Sequence, residues 1–385
     1  MRLALITNYP SHHQVDVFNA LAKQPELDLK VFYLRKGTPL RQHFAVRAIE
    51  HEHEFIRETN PGGHFYLSTG LAAAVDLHKP DVLLITQYAS IGMQWMMYRS
   101  FLQGRKWIYW SEAPGVEYAD LPVLESPLLR RAARRVAIWP LRLARPSQVW
   151  GIGRRASAMY ARMTRAQCEN VPYFSDLSAL HGIARGDVNR PIRFLYAGRL
   201  VSRKGFDILL EAVAQLATRR RDFEVRVIGE GPQFALLDQM PDIARQMIRY
   251  AGFQPLQELP NKFAECDVLV YPSRYDGWGM AVVEAMAAGM AVIASSATGA
   301  AIDLIDSGHN GLLIDSPTAT NLAAAMEQLL DNPAAMRQMG EQARQASLKM
   351  TASVGAKRIA ELAWQAAGDG RAAMALEVTG EQHGA

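Results

Sequence analysis

Short apolar runs alternate with helical patterns along almost the whole chain of 385 residues. Most of these runs are continuously apolar, which is typical of parallel strands covered on both faces. Alternation of such strands with helices predicts doubly wound α/β domains. The predicted strands are residues 3–7, 29–34, 82–86, 107–110 and 148–152, then 192–197, 225–229, 267–271, 291–294 and 311–314. The predicted helices are residues 15–23, 67–78, 206–217, 256–264, 281–288 and 319–330.

A polar segment between residues 182 and 191, with Gly, Asp, Asn and Pro and little apolar content, divides the strands into two series. It predicts two domains, residues 1–182 and 191–348, and the Gly-, Ala- and Glu-containing residues 368–385 are expected to form a mobile tail. Two doubly wound domains in tandem predict a cleft between the carboxyl ends of their strands, where ligands bind in such sheets.

Composition excludes several classes of protein. Hydrophobic residues make up 49% and charged residues 21% of the chain, which is too apolar for a disordered protein. The chain has only two cysteines, so it contains no disulfide scaffold and no Cys-rich zinc module. The first apolar run is too short for a signal peptide, and no run is long enough to span a membrane. We therefore expect a cytoplasmic protein.

Positive charge is concentrated in residues 126–168, which contain ten arginines, several aliphatic residues and Trp139, but no Asp, Glu or Lys. Three interpretations stay open for this segment: a solvated helix face, an anionic membrane surface or lipid-linked acceptor held by residues 126–165, and nucleic acid. Nucleic acid is the least favoured, and we expect none as a partner, because no nucleic-acid-binding motif accompanies the charge.

Two loops of the second series contain residues suited to phosphate. Residues 196–207 place Gly198, Arg199 and Lys204 between a predicted strand and the next helix, where two cations beside a helix N-terminus suit a diphosphate. The alternative is a pair of solvated loop cations. Gly229 opens a Gly-Glu-Gly-Pro sequence after a strand, which allows a ligand to approach the backbone but also suits a plain turn.

A third motif occupies residues 271–289, where a glycine-rich loop leads from a strand into a helix. The backbone N–H groups that follow Gly279 are suited to phosphate oxygens. Glu284 lies on the largely apolar helix and matches the two hydroxyls of a ribose, unless it is a helix-face carboxylate. Asp276 can accept hydrogen bonds from sugar hydroxyls, unless it only forms the turn.

Together these motifs resemble glycosyltransferase family 4, the glycosyl transferases of group 1, which are retaining enzymes of GT-B fold. The resemblance rests on Gly-Arg-Leu followed by Lys-Gly, on Gly-Glu-Gly-Pro, and on two acids separated by seven residues, in the expected order between Ile192 and about Leu330. It implies two Rossmann-like domains facing across a cleft. It also implies that helices after about Lys349 return to the N-terminal domain.

The resemblance assigns roles to individual residues. Arg199 and Lys204 would bind the donor diphosphate and act in catalysis, Glu284 would hold the ribose, and Asp276 would contact the donor sugar as a catalytic residue. The backbone of the first helical turn would bind phosphate, and the region of Phe253 would border the base. The residues of that turn are Met280, Ala281 and Val282.

The sequence departs from the family at two of these positions. Many members have a histidine where Glu112 follows a predicted strand here, and Glu112 is a candidate catalytic residue. Asp276 stands where the family usually has the longer Glu. His12 and His13 are the nearest imidazoles and are candidate acceptor contacts, or exposed loop histidines.

The expected activity is a retaining transfer of a hexose from a UDP- or GDP-type sugar to a glycan or lipid-linked acceptor in cell-surface polysaccharide synthesis. We expect no cofactor, and no metal because two cations are available and no Asp-x-Asp pair occurs. The protein would lie on the inner face of the membrane. Two alternatives stay open: a nucleotide-sugar epimerase of the same fold, and a nucleotide-sugar-binding protein with little or no activity.

Overall fold

The computed structural model describes residues 1–37, 47–62, 65–87, 90–113, 139–186 and 191–368. The chain forms two compact units. The first comprises Met1–Ser175 and the chain from Ala352 on, and the second comprises Asp176–Thr351. Residues 126–138 of the basic segment, and the predicted mobile tail apart from Gly368, lie outside the described residues.

The first unit is built on a parallel sheet of seven strands. The strands of this sheet are β1 (Arg2–Thr7), β2 (Asp28–Tyr33), β3 (Glu52–Phe55), β6 (Val82–Thr86), β7 (Lys106–Ser111), β8 (Gln148–Gly151) and β9 (Gln167–Asn170). Two further strands, β4 (Glu58–Gly62) and β5 (Phe65–Ser68), form a separate antiparallel pair. The order across the sheet is β3-β2-β1-β6-β7-β8-β9. The order of winding therefore reverses between β1 and β6, which are hydrogen-bonded neighbours.

Helices pack on both faces of this sheet. The helices of the first unit are α1 (His12–Ala22), α2 (Leu71–His78), α3 (Ile91–Leu102), α4 (Arg154–Ala161) and, after the second unit, α13 (Ala352–Ala367). On one face, side chains of α2, α3 and α4 pack in a single core with inward-facing residues of β1, β6, β7 and β8. Helices α1 and α13 pack against each other.

The second unit is a parallel sheet of six strands. Its strands are β10 (Ile192–Ala197), β11 (Phe223–Ile228), β12 (Ile248–Gly252), β13 (Val268–Tyr271), β14 (Ala291–Ser295) and β15 (Leu312–Ile314). The order is β12-β11-β10-β13-β14-β15, so the winding reverses between β10 and β13. The helices are α5 (Ser178–His181), α6 (Phe206–Leu216), α7 (Asp242–Arg245), α8 (Leu259–Ala264), α9 (Met280–Ala287), α10 (Gly299–Leu304), α11 (Ala319–Asp331) and α12 (Pro333–Ser347).

The prediction of two doubly wound α/β domains is confirmed, but several predicted element bounds are wrong. Strands β3, β9 and β12 are absent from the prediction because each lies at a sheet edge, where few of its side chains are buried and no continuous apolar run marks the strand. Leu67 lies in β5 and not in a helix. Helix α2 begins only after Gly70, which has a left-handed φ of 86°.

The two units divide at Ser175, ahead of the segment between residues 182 and 191 that the sequence presents as a linker. The reason is that this segment is held by the second unit. The His181 ring nitrogen lies 2.8 Å from the Ser347 hydroxyl, and the Arg185 guanidinium donates to the carbonyls of Ala288 and Phe263 at 2.7 and 2.9 Å. At the division itself, the Ala352 N–H donates to the Ser175 carbonyl at 2.8 Å.

Within the described part of the chain, no helix combines the length and apolar character that a membrane crossing requires.

Candidate functional site

The reversal point of the second sheet brings together two loops whose residues Lys204 and Asp276 are 72 positions apart in sequence. Lys204 follows β10 and Asp276 follows β13, and these strands are hydrogen-bonded neighbours. In open α/β sheets, ligands bind outside the carboxyl ends of the strands at such a point. The fold therefore places both residues where a ligand of this unit is expected.

Lys204, Asp276 and Tyr271 form a hydrogen-bonded cluster. The Lys204 ammonium contacts the Asp276 carboxylate directly and donates to the Tyr271 hydroxyl at 2.7 Å. The Tyr271 hydroxyl donates to the same carboxylate oxygen, Oδ2, at 2.5 Å. The side chains of Lys204 and Asp276 are each only 13% exposed. Among the described residues, none donates to the second oxygen, Oδ1, which leaves it available to a ligand hydroxyl.

Charge in this cluster is fixed by its surroundings. Burial alone would raise the pKa of Asp276, but the nearby Lys204 ammonium, hydrogen bonds from Lys204 and Tyr271, and the charge of Arg203 hold it below its ordinary value. Burial, followed by the Asp276 charge, raises the pKa of the Tyr271 phenol well above its usual range. Near neutral pH the acid is therefore a carboxylate and the phenol a neutral hydrogen-bond donor.

The N-terminus of α9 lies beside this cluster. Gly279 precedes the helix with a left-handed φ of 92°, and a Cβ at this position would lie 2.7 Å from the Thr298 methyl group and 3.4 Å from Asp276 Oδ2. Gly279 provides no side-chain cap for the first turn, which begins at Met280 and includes Ala281 and Val282. The prediction that the Val282 N–H binds phosphate is wrong, because this group donates to the Gly279 carbonyl at 3.0 Å. First-turn N–H groups point away from the helix and suit an anion.

The neighbouring loops leave little room around their glycines, with one exception. A Cβ on Gly229, whose φ is 123°, would lie 2.0 Å from the Gly198 carbonyl oxygen. The Gly-Glu-Gly-Pro loop after β11 therefore packs directly on the loop after β10, which contains Gly198. A Cβ on Gly198 would meet nothing within 4 Å. The position of a Gly198 side chain is therefore open space at the carboxyl end of β10.

The other predicted donor residues take different positions at this edge. Arg199 is exposed, and no described residue accepts a hydrogen bond from its guanidinium, while its carbonyl accepts from the Tyr196 hydroxyl at 2.9 Å. Glu284 is half-buried one turn into α9. Phe253 follows β12, next to Gly252, whose carbonyl accepts from the Gly229 N–H at 2.8 Å.

Sequence reasoning missed Tyr271 and Arg203. The sequence predicts Tyr271 only as the last residue of a strand, because its role depends on the position of that strand beside the reversal point of the sheet. Arg203 connects the two loops: its guanidinium donates to the Tyr275 carbonyl, and its own carbonyl accepts from the Arg274 N–H, both at 2.9 Å.

The candidate residues of the first unit lie at the corresponding edge of its sheet. His12 and His13 form the start of α1 and are half-buried, so they are not exposed loop histidines. The centroid of the His13 ring lies 4.5 Å from that of Tyr173, with the two ring planes tilted by 52°. Tyr173 also contacts Trp110 near the end of β7.

Glu112, immediately after β7, is half-buried, and its carbonyl accepts from the Tyr160 hydroxyl at 2.7 Å. Within the described residues, no group of three or more His, Cys, Asp or Glu side chains is arranged to hold a metal ion.

Sequence comparison relates the second unit to known enzymes. Residues 185–346 match the family described as Glycosyl transferases group 1. The chain is 31% identical over 172 residues to the D-inositol 3-phosphate glycosyltransferase of Corynebacterium diphtheriae, and 31% identical over 157 residues to the alpha-D-kanosaminyltransferase of Streptomyces kanamyceticus. These alignments cover 43% and 40% of this chain. The chain spans only 40% of the length of either relative.

Solved structures resemble the chain over nearly its full length. Anabaena HepE in complex with UDP has a TM-score of 0.71 at 18% identity, with 94% of this chain and 99% of that chain covered. Sucrose-phosphate synthase from Thermosynechococcus elongatus has a TM-score of 0.70 at 18% identity, with 95% and 98% covered. The fold is therefore the GT-B fold.

Proposed function

We propose that the chain is a retaining glycosyltransferase that moves a hexose from a nucleoside-diphosphate sugar to a glycan or lipid-linked acceptor. The observation that carries this proposal is the Lys204–Asp276–Tyr271 cluster beside the N-terminus of α9, at the reversal point of the second sheet. A buried cation and exposed helix N–H groups suit a diphosphate, and a carboxylate with one available oxygen suits a sugar hydroxyl.

The donor contacts follow from this arrangement. Two of the three N–H groups of the Lys204 ammonium donate hydrogen bonds within the cluster, and the third remains for a phosphate oxygen. Arg199 is exposed and long enough to close on the diphosphate from the loop after β10. The backbone N–H groups of Met280 and Ala281 complete the phosphate site, whereas the Val282 N–H already donates to the Gly279 carbonyl at 3.0 Å.

The remaining donor residues would hold the nucleoside and the sugar. Glu284 lies one turn beyond the phosphate site and accepts from the ribose hydroxyls. Asp276 Oδ1 accepts from the sugar. The open space at Gly198, packed against Gly229, admits the nucleotide, and Phe253 borders the base.

The nucleotide is of UDP or GDP type. HepE was solved with UDP and with UDP-glucose, whereas a Corynebacterium glutamicum relative, 29% identical over 153 residues, is described as GDP-mannose-dependent. Both kinds of donor are therefore represented among proteins similar to this chain.

In the transfer, the bond from sugar C1 to the diphosphate oxygen breaks, and a bond from C1 to the acceptor oxygen forms on the same face. The acceptor hydroxyl gives its proton to the leaving phosphate. Negative charge develops on the diphosphate, so Lys204, Arg199 and the α9 N–H groups stabilise the transition state more than the ground state. Because these cations can neutralise the leaving group, the proposed reaction uses neither a metal nor a cofactor.

The acceptor would be bound by the first unit, through His12, His13 and Glu112 at the carboxyl edge of its sheet. A lipid-linked acceptor in cell-surface polysaccharide synthesis is supported by the six exposed arginines of residues 139–165, which suit an anionic membrane surface. WaaG, which has a TM-score of 0.66 to this chain at 14% identity, is described as a glycosyltransferase of lipopolysaccharide biosynthesis. The proposal places the protein at the inner face of the membrane.

The test begins with a thermal-shift panel of UDP, GDP, ADP and their sugars. A ligand at 100 times its Kd adds about 2.7 kcal/mol to the stability of the protein, which raises Tm by several degrees. The stabilising donor is then incubated with the enzyme alone and with membrane extract. Transfer predicts nucleotide release that requires the extract and resists a chelator.

Each alternative gives a different result in the same experiment. An epimerase converts the donor sugar with no acceptor present, and a binding protein shows the thermal shift with no turnover in either incubation. Either result would overturn the proposed transfer. Activity lost with a chelator and restored by manganese would overturn its metal independence.

A further inference from the structure

Helix α3 has large apolar side chains on two opposite faces. Its inner face is buried in the core of the first unit through Met93, Met96 and Met97. On the outer face, Ile91, Trp95 and Leu102 are 42%, 53% and 75% exposed. At about 100° per residue these three side chains fall within about 40° of one another, so they form one stripe along the helix. A helix that is apolar on both faces is typical of one covered on both.

The apolar surface continues onto the neighbouring elements of the same face. Trp139 and Leu143, in helical residues 139–143, are 58% and 50% exposed. This segment lies on the same face of the sheet as α3, because Leu141 and Ala144 belong to the same core as the methionines of α3. The Ala144 carbonyl also accepts from the Trp107 indole of β7, the strand that follows α3, at 2.9 Å. We call Ile91, Trp95, Leu102, Trp139 and Leu143 the α3 surface.

The described residues around the α3 surface carry more positive than negative charge. No Asp or Glu occurs in residues 91–111 or 139–168. Asp76 of the adjacent α2 pairs with both Arg99 and Arg105 near the C-terminal end of α3. One carboxylate faces two guanidinium groups, which leaves an excess of positive charge there. The arginines of the neighbouring segments that are exposed are Arg142, Arg145, Arg154, Arg155, Arg162 and Arg165.

We propose that the α3 surface docks on an anionic lipid bilayer. Tryptophan and aliphatic side chains enter the headgroup region, and the surrounding arginines bind lipid phosphates. A second copy of the chain fits less well, because joining two such surfaces would bring together two regions that each carry an excess of positive charge. This inference deepens the proposed function by bringing the enzyme to a lipid-linked acceptor. In this inference the bilayer is contacted both by the arginine-rich segment and by α3, whose exposed side chains provide much of the apolar contact.

The test measures vesicle binding with no donor or acceptor present, so it is independent of the proposed transfer. The wild-type chain is sedimented with phosphatidylcholine vesicles with and without phosphatidylglycerol, at low and high salt. We expect at least tenfold more binding to the anionic vesicles, reduced by salt. The double variant Trp95→Ser with Leu102→Ser should bind at least tenfold more weakly and keep its Tm, because both side chains are exposed.

The matched control is Ile243→Ser on α7 of the second unit, where the isoleucine is also 50% exposed. This control should bind anionic vesicles like the wild type. Three results would overturn the proposal: wild-type protein that does not distinguish the two vesicles, equal binding by the double variant and the control, or a concentration-dependent dimer that the double variant abolishes. A failure of transfer with intact vesicle binding would overturn only the proposed function.

Discussion

Replacing Lys204 with alanine tests both the geometry and the chemistry of the candidate site. The substitution leaves the Asp276 carboxylate, with a side chain only 13% exposed, beside a single remaining hydrogen-bond donor, Tyr271. Removing one partner of a buried ion pair costs about 3–5 kcal/mol, because the other charge stays buried and uncompensated. For a unit of this size, the loss corresponds to a fall in Tm on the order of 10 °C.

The pH dependence of this loss has a definite sign. In the wild type the depressed pKa of Asp276 means that its contribution to stability is present above the unfolded value, about 3.8, and is lost as pH falls through the folded value. Without Lys204, burial raises the pKa of Asp276 instead. The loss of stability in Lys204→Ala should therefore be largest at pH 7, and it should decrease as Asp276 becomes protonated at lower pH.

Urea unfolding and calorimetry from about pH 3, which is below the unfolded value of 3.8, to about pH 8 measure this effect. The double variant Lys204→Ala with Asp276→Asn removes the unpaired charge and should recover much of the lost stability without recovering activity. Lys262→Ala is the control, because Lys262 lies 3.7 Å from Glu265 in a partly exposed pair whose loss costs about 0–1 kcal/mol. A Lys204→Ala deficit no larger than that of the control, and unchanged by pH, would refute the reasoning.

Three further predictions concern the same edge of the second sheet. Arg199→Ala should lower kcat/KM about a hundredfold with an unchanged Tm, because the side chain is exposed and would act only on the donor; wild-type steady-state kinetics would refute its role. Tyr271→Phe keeps the ring but removes a hydrogen bond to Asp276, so the pKa of that acid rises and the acid limb of the pH–rate profile moves to higher pH; an unmoved limb would mean that the phenol only packs. Gly279→Ala should cost more stability in urea unfolding than Gly308→Ala, because both glycines have φ near 90° but only a Cβ at Gly279 meets a neighbour, at 2.7 Å; equal losses would contradict the close packing.

Central strands of both sheets could be predicted from the sequence because burial on both faces makes them continuously apolar. The bounds predicted for residues 82–86 and 192–197 match β6 and β10. The edge strands were missed for the opposite reason, since β3 and β9 are largely exposed and polar. Helix α3 was missed because apolar residues lie on both of its faces, so the sequence has no clear helical period.

The candidate site was predictable in part. Lys204 and Asp276 each stand out locally, as a cation before a helix and an acid before a glycine-rich turn. Their direct contact depends on the pairing of β10 with β13, which no local pattern encodes. The same pairing makes Tyr271 a partner of Lys204, so its role could not be inferred before the sheet order was known.

Direct titration of nucleoside diphosphates tests the central claim that the second unit binds the diphosphate of the donor through Lys204. Isothermal titration of UDP and GDP into the wild type should give one site for at least one of them. Lys204→Ala should bind that nucleotide at least tenfold more weakly, and Lys262→Ala should bind it like the wild type, since a lost charge-assisted contact costs about 1.5–3 kcal/mol. Equal affinity in the wild type and Lys204→Ala, at a temperature where both are folded, would contradict the account.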